Sequence, residues 1–198
     1  MTRVVAGRAG GRRLVVPDGE ATRPTSDRVR EAMFSTLTSE LGSLDGLVVL
    51  DLFAGSGALG LEALSRGAAR ATFVERDRRA LAALRRNVAT TGLGEVEIRG
   101  TDVERALRTP PAGGAYPRVD LVLADPPYAF SSDSLAQVLR ALVDNGWLAD
   151  DALLVVERSA REHPPSWPDD LTVLASRRYS ETLLWYLRWS VDQALSDG

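Results

Sequence analysis

The sequence contains no cysteine, so disulfides, thiolate nucleophiles and cysteine-held zinc are all excluded. It also contains no lysine: all 24 basic residues are arginine. A P-loop lysine, a Schiff-base lysine and a lysine general base are therefore impossible. Histidine is nearly absent. The single His163 stands in Glu162-His163-Pro164-Pro165, a proline-rich stretch that suits a surface loop better than a catalytic base. No apolar run approaches the roughly 18 residues of a membrane span, and the first residues carry no apolar stretch of the secretory kind. Neither a membrane nor a metal partner is expected, and a cytoplasmic monomer is the expectation. The chemistry must run on carboxylates, backbone groups and aromatics.

What is present suits one compact fold with a short appendage. The chain has 198 residues, of which 44% are hydrophobic and 26% charged. The net charge of −3 taken as a whole argues against a polyanionic partner, but the distribution of charge points the other way. Residues 1–30 hold seven arginines against Asp18, Glu20 and Asp27, a local +4, which leaves −7 on the remainder. A basic arm on an acidic body fits a polyanion gripped at one end, a solvated hairpin surface being the plainer alternative.

Arg3–Ala6 and Arg12–Val16 are β-prone and flank a glycine-rich turn, which predicts a hairpin. Ser26 then caps a helix whose apolar stripe is Val29, Met33, Phe34, Leu37 and Leu41. From Leu47 the pattern alternates. Strands are predicted at Leu47–Phe53, Ala71–Glu75, Val96–Arg99, Val119–Ala124 and Ala152–Glu157. Helices are predicted at Ala58–Arg66, at Asp77–Thr90 (Leu81, Leu84 and Val88 on one face) and at Ser134–Asn145. Leu171–Ala175 and Thr182–Trp189 close the chain with no helix between them, so they read as a hairpin bringing in one antiparallel strand. Strands separated by helices imply right-handed crossovers, hence an α/β fold: a mostly parallel sheet with helices on both faces.

In such sheets ligands gather beyond the carboxyl ends of the strands. Those ends carry Asp51-Leu-Phe53-Ala54-Gly55-Ser56-Gly57, then Glu75-Arg76, Asp102-Val103 and Asp125. Gly55-Ser-Gly57-Ala-Leu-Gly60 satisfies G-x-G-x-x-G, which alone suggests a dinucleotide. Asp51 decides against it, because an extra anion repels a pyrophosphate and attracts a cation. S-adenosylmethionine carries a sulfonium and an ammonium against one carboxylate. Asp51 suits its ammonium or a bridging water, Gly55 and Gly57 a close backbone approach, and Glu75 the ribose hydroxyls. Asp102 suits the adenine amine and the Val103 amide a ring nitrogen, while Phe53, Ala54, Ser56, Arg76 and Asp125 complete the lining of the cofactor site. Helix capping is the plain alternative for Asp77 and in part for Asp102.

Asp125-Pro126-Pro127-Tyr128 follows a continuous apolar strand. Two prolines stiffen the loop and withhold two amide donors, leaving an acceptor-rich edge. That edge matches an amino group on a planar base. Bonds from its N–H groups to Asp125 and to the Pro126 carbonyl orient the nitrogen lone pair, and the Tyr128 ring stacks on the base. Thr109-Pro110-Pro111 and His163-Pro164-Pro165 are read instead as linkers.

With these residues in hand, the chain resembles the 16S rRNA methyltransferase D family over nearly its whole length. The family-specific part is Arg3-Val-Val-Ala-Gly7, Gly11-Arg12-Arg13-Leu-Val-Val-Pro17 and Arg23-Pro-Thr25-Ser-Asp-Arg28-Val-Arg-Glu-Ala-Met-Phe34. The glycine loop and Asp-Pro-Pro-Tyr identify only amino methyltransferases in general. The resemblance implies a Rossmann-like class I methyltransferase with a seven-stranded sheet and an N-terminal β-hairpin extension. It also implies methylation of guanine N2 in 16S rRNA of the small ribosomal subunit or its assembly intermediate. On that reading residues 1–25 form an rRNA-contacting arm and 26–198 the catalytic domain. Arg3, Arg8, Arg12, Arg13, Arg23, Thr25 and Arg28 become RNA contacts, with Arg23–Thr25 closing over the active site. The sequence departs from the family at Ala9 and Gly10, where an aromatic and a basic residue are common. Competing readings are a DNA adenine-N6 or protein-glutamine methyltransferase, a silent RNA-binding module and a nicotinamide oxidoreductase.

Overall fold

The computed structural model describes residues 2–17, 26–108, 118–163 and 165–190. Arg23, Thr25 and the Thr109-Pro110-Pro111 linker lie outside the described residues. The chain divides into two compact units, residues 1–102 and 103–198, and its main sheet has seven strands and is mostly parallel.

The first unit opens with β1 (Thr2–Arg3) and β2 (Arg13–Leu14), an antiparallel pair joined through a 3₁₀ turn at Gly7–Ala9. These strands are shorter than the sequence suggests because their neighbours donate elsewhere. The Val5 and Ala6 amides go to the Glu62 carboxylate at 2.6 and 3.0 Å, and the Val15 amide goes to Asn87 at 2.8 Å. Helix α1 (Asp27–Leu41) starts at Ser26, whose hydroxyl accepts from the Val29 amide. Met33, Phe34 and Leu37 form its buried face.

Three parallel strands follow, in the order β5 (Glu95–Gly100), β4 (Arg70–Glu75), β3 (Val48–Leu52). The register sets Asp51 opposite Phe73 and Glu75 opposite Gly100, so three strand ends carrying acids or leading into one finish side by side. Helix α2 (Ala58–Ser65) packs closely against this sheet: a Cβ on Gly60 would fall 2.4 Å from the Phe73 ring. Glycine is required there by contact, and full burial of Phe73 contributes about 2–3 kcal/mol. Helix α3 (Arg78–Thr91) is capped by Asp77, whose carboxylate accepts from the Arg79 and Ala80 amides, and ends at left-handed Gly92.

The second unit contains α4 (Val103–Leu107), β6 (Val119–Ala124), α5 (Ser132–Asp144), β7 (Leu148–Ser159), β8 (Leu171–Tyr179) and β9 (Thr182–Trp189). Strand β6 runs parallel to β7, and β9 runs antiparallel to both β7 and β8, as the missing helix between β8 and β9 foretold. Trp147 closes the core beneath α4, its indole N–H donating to the Leu107 carbonyl at 3.1 Å. Strand β8 lies at the sheet's edge and is largely exposed, which lets it carry Arg177 and Arg178 where a central strand could not. Among the described residues no helix is long and apolar enough to cross a membrane.

Candidate active site

In the first unit the turn after β3 is built by unusual backbone. Phe53, Gly55 and Gly57 all take left-handed conformations, with φ of 64, 54 and 86°. For a bulky residue such as Phe53 this is strained, and strain of this kind concentrates at functional turns. The Ala54 amide donates to the Val74 carbonyl and the Gly57 amide to the Ala54 carbonyl, which fixes the bend. Gly55 and Gly57 are glycine for different reasons. A Cβ on Gly57 would press against Leu84 at 2.4 Å, whereas one on Gly55 would meet nothing within 4 Å, leaving open space over that peptide.

The acids divide their tasks. One oxygen of Glu75 accepts from the Gly55 amide at 2.8 Å and the other from the Arg76 and Asp77 amides at 2.7 Å each. The carboxylate ties the loop to the end of β4, and of its roughly four lone-pair sites one remains for a further donor. Asp51 is only 1% exposed and accepts from the Gly60 amide at 2.9 Å, so it holds an otherwise orphaned donor in the first turn of α2. Asp102, half-buried, follows β5 and leads into buried Val103.

Burial pushes the Asp51 carboxyl up to about 7; the Gly60 bond opposes this and the nearby Glu75 charge adds to it. A folded state that holds this proton more tightly than the unfolded chain is most favoured below about pH 4. That advantage is lost as pH rises through about 7, by up to about 4 kcal/mol for this group alone. Asp51→Asn keeps an acceptor for Gly60 and is expected to flatten the stability profile between pH 4 and 7 in urea titrations. An unchanged slope would show that Asp51 is ionised throughout.

In the second unit Asp125 emerges half-buried from the end of β6. Pro126 is buried, and the Phe130 amide donates to the Pro127 carbonyl at 2.8 Å, closing a turn. Arg158, whose side chain is 5% exposed, donates to the Phe130 carbonyl and pairs with Glu162, clamping the far end of the loop. Ser131 then caps α5 by accepting from the Ser134 amide. On this fixed base the Tyr128 ring stands 67% exposed. His163 is exposed in a loop, in keeping with its reading as a linker residue.

The predicted arm residues separate into two groups. Arg8 donates to the Leu64 carbonyl at 3.1 Å, and Arg12 donates to the Thr90 and Thr91 carbonyls, so each guanidinium sits at a helix C-terminus where a cation is favoured. Arg3 pairs with Asp27 at 2.9 Å and stays largely exposed, as do Arg13 and Arg28. Arg30 is 1% exposed and bonds the Arg3 carbonyl and Asp27, so it is a structural cation. Two contributors escape the sequence pattern. Asn87 and Glu62 are buried polar residues on the inner faces of α3 and α2, and their signal is a polar side chain at an apolar helical position. The face of α3 is Leu81, Leu84, Asn87 and Thr91, with Val88 only half-buried.

The strand order, the glycine turn and the acids at the strand ends define a class I methyltransferase fold. Its parallels among known proteins are specific. The family profile described as conserved hypothetical protein 95 matches residues 2–188, and the chain belongs to that family. It is 42% identical over 166 residues to ribosomal RNA small subunit methyltransferase D of Escherichia coli (strain K12), spanning 84% of this chain and 79% of the relative. The protein of the same name from Haemophilus influenzae is 35% identical over 177 residues, 88% of this chain and 87% of the relative. The solved structure of the Escherichia coli methyltransferase yhhF superposes with a TM-score of 0.82 at 33% identity, covering 96% and 98% of the two chains.

Proposed function

We propose that this chain transfers a methyl group from S-adenosylmethionine to the exocyclic N2 of a guanine in 16S rRNA of the small ribosomal subunit. The observation that carries the reading is Asp125, half-buried at a strand end, beside a stiff double proline and a ring 67% exposed. An acceptor-rich edge next to an exposed aromatic face suits an amino group on a flat base, held by N–H donation to Asp125 and the Pro126 carbonyl and by stacking on Tyr128. The curated relatives carry rRNA small-subunit methylation in their names, which supports the RNA class over DNA or protein.

The first-unit loop fits the methyl donor. Gly55 leaves open space, Glu75 keeps one lone-pair site for a ribose hydroxyl, and a cationic donor beside buried Asp51 would favour the ionised form of its carboxyl. Phe53, Ala54, Ser56 and Gly57 form the wall of the turn; Arg76, Asp102 and Val103 border the adenine end, with the Val103 amide in the first turn of α4. The bound donor supplies an electrophilic methyl on a sulfonium whose departure leaves a neutral thioether. This chain's residues orient the amine, hold its N–H groups and exclude water, so positioning carries most of the rate.

We assign residues 1–25 to rRNA contact and 26–198 to catalysis, in a cytoplasmic protein acting as a monomer without metal. Exposed Arg3, Arg13 and Arg28 present the positive face, with Arg23 and Thr25 assigned to the same contact on family pattern. Arg8 and Arg12 serve it while anchoring helix ends. The test is incubation with labelled methyl donor and undermethylated small subunits, naked rRNA or DNA, followed by nucleoside analysis. Label in N2-methylguanosine from the RNA samples is the expected result. Label in N6-methyladenine from DNA would replace this reading.

A further inference from the structure

Asn87 lies on α3, only 2% exposed. Its side chain nevertheless joins the two features to which function has been assigned. The Oδ1 accepts from the Val15 amide at 2.8 Å, and the Nδ2 donates both to the Val15 carbonyl at 2.8 Å and to the Ser56 carbonyl at 2.9 Å. Both of its N–H groups are used, and they reach in two directions. Toward the hairpin, the carboxamide pairs with Val15 as a neighbouring strand would, taking its amide and its carbonyl together. Toward the loop, it holds the carbonyl of Ser56, the residue between left-handed Gly55 and Gly57.

Val15 is the first residue beyond β2, so this pairing fixes how the chain leaves the hairpin. A second tie strengthens it: Arg12, three residues earlier, is anchored on the carbonyls of Thr90 and Thr91 at the end of the same helix. The hairpin exit is therefore referenced to α3 at two points, and the glycine turn is referenced to α3 at one of them.

We infer that Asn87 is a positioning residue that couples the methyl-donor loop to the RNA-contacting hairpin, so that each ligand prepares the protein for the other. A donor that fixes the Gly55–Gly57 turn fixes the Ser56 carbonyl, hence the orientation of the Asn87 amide, hence Val15. RNA that settles the hairpin acts along the same three bonds in reverse. Linkage requires the two effects to be equal in magnitude. This inference rests on the assignment of the loop to the donor and of the hairpin to RNA.

The experiment measures affinity for undermethylated small ribosomal subunits with and without saturating S-adenosylhomocysteine, in the full-length protein and in two variants. Asn87→Ala removes all three bonds. Val15→Pro removes only the amide donor on the hairpin side, at a position preceded by extended Leu14 where proline is tolerated, and it serves if the first variant does not fold. The unaltered protein is expected to bind subunits roughly fivefold or more tightly when the cofactor product is present. In the variants that gain should shrink to within about twofold of unity, while affinity for S-adenosylhomocysteine alone changes by less than about fivefold. A residue needed only for folding would weaken both ligands and leave their ratio alone. Absence of the gain in the unaltered protein, or its full retention in the variants, overturns the coupling. Failure of the unaltered protein to bind either ligand overturns the functional assignment and the coupling with it.

Discussion

Asp125→Ala is expected to lower single-turnover methyl transfer by roughly 10²–10⁴, the range found when a positioned acid or base is removed. An exocyclic amine is a poor nucleophile because its lone pair is delocalised into the ring. In the proposed mechanism the carboxylate contributes by accepting from one N–H and favouring a pyramidal nitrogen. Alanine removes that acceptor while two bonds that fix the far end of the loop do not involve Asp125. Phe130 still donates to Pro127, and Arg158 still grips the Phe130 carbonyl at 3.0 Å. S-adenosylhomocysteine affinity, followed by calorimetry, should change by less than about tenfold if the donor is held, as proposed, mainly by Glu75 and the glycine turn. The rate loss should therefore appear in the chemical step and not in donor binding. Full turnover by Asp125→Ala would remove the tetrapeptide from the mechanism.

The strands and the candidate acids are legible in the sequence wherever one local signal dominates. Val119–Ala124 and Thr182–Trp189 are apolar runs bounded by turn residues, and both strands occupy the predicted residues. Glu75 and Asp125 stand out because strand ends can be located, and the topology then makes those ends informative. Differences arise where tertiary partners override local pattern. Helix α4 has five residues, too few to display a 3.6-residue period, so the sequence does not announce it. Strand β8 runs four residues past Ala175 because an edge strand bears charge on its open side. By composition the arm is one basic surface. Yet Arg30 is buried, and Arg8 and Arg12 are engaged by helix carbonyls, which no count of charges reveals. Nor does the sequence pattern show that the Asp51 carboxylate is held on the Gly60 amide, deep enough to raise its affinity for a proton.

Glu62→Ala should be the most damaging substitution for stability. Glu62 is 0% exposed, which for a carboxylate demands full compensation, and the structure supplies it. Its oxygens accept from the Val5 amide at 2.6 Å, the Ala6 amide at 3.0 Å and the Arg66 Nε at 2.7 Å. Arg66 keeps Glu31 and the Phe34 ring as partners, so removing Glu62 does not strand that cation; the orphaned groups are the two amides. Each buried donor left unmade costs about 1–3 kcal/mol, and loss of the ion pair adds to this, so about 3 kcal/mol or more is expected. In a chain of 198 residues that corresponds to a fall in Tm of roughly 6–12 °C. Glu62→Gln keeps an acceptor and should lose less. Because both orphaned amides belong to the hairpin, the damage should be local first. Limited proteolysis ought to cut near Gly7, whose close approach to the Ser65 carbonyl depends on this seat, before the sheet opens. Uniform loss of protection across the chain would instead mean that the hairpin and the sheet unfold as one, and that Glu62 holds the whole first unit.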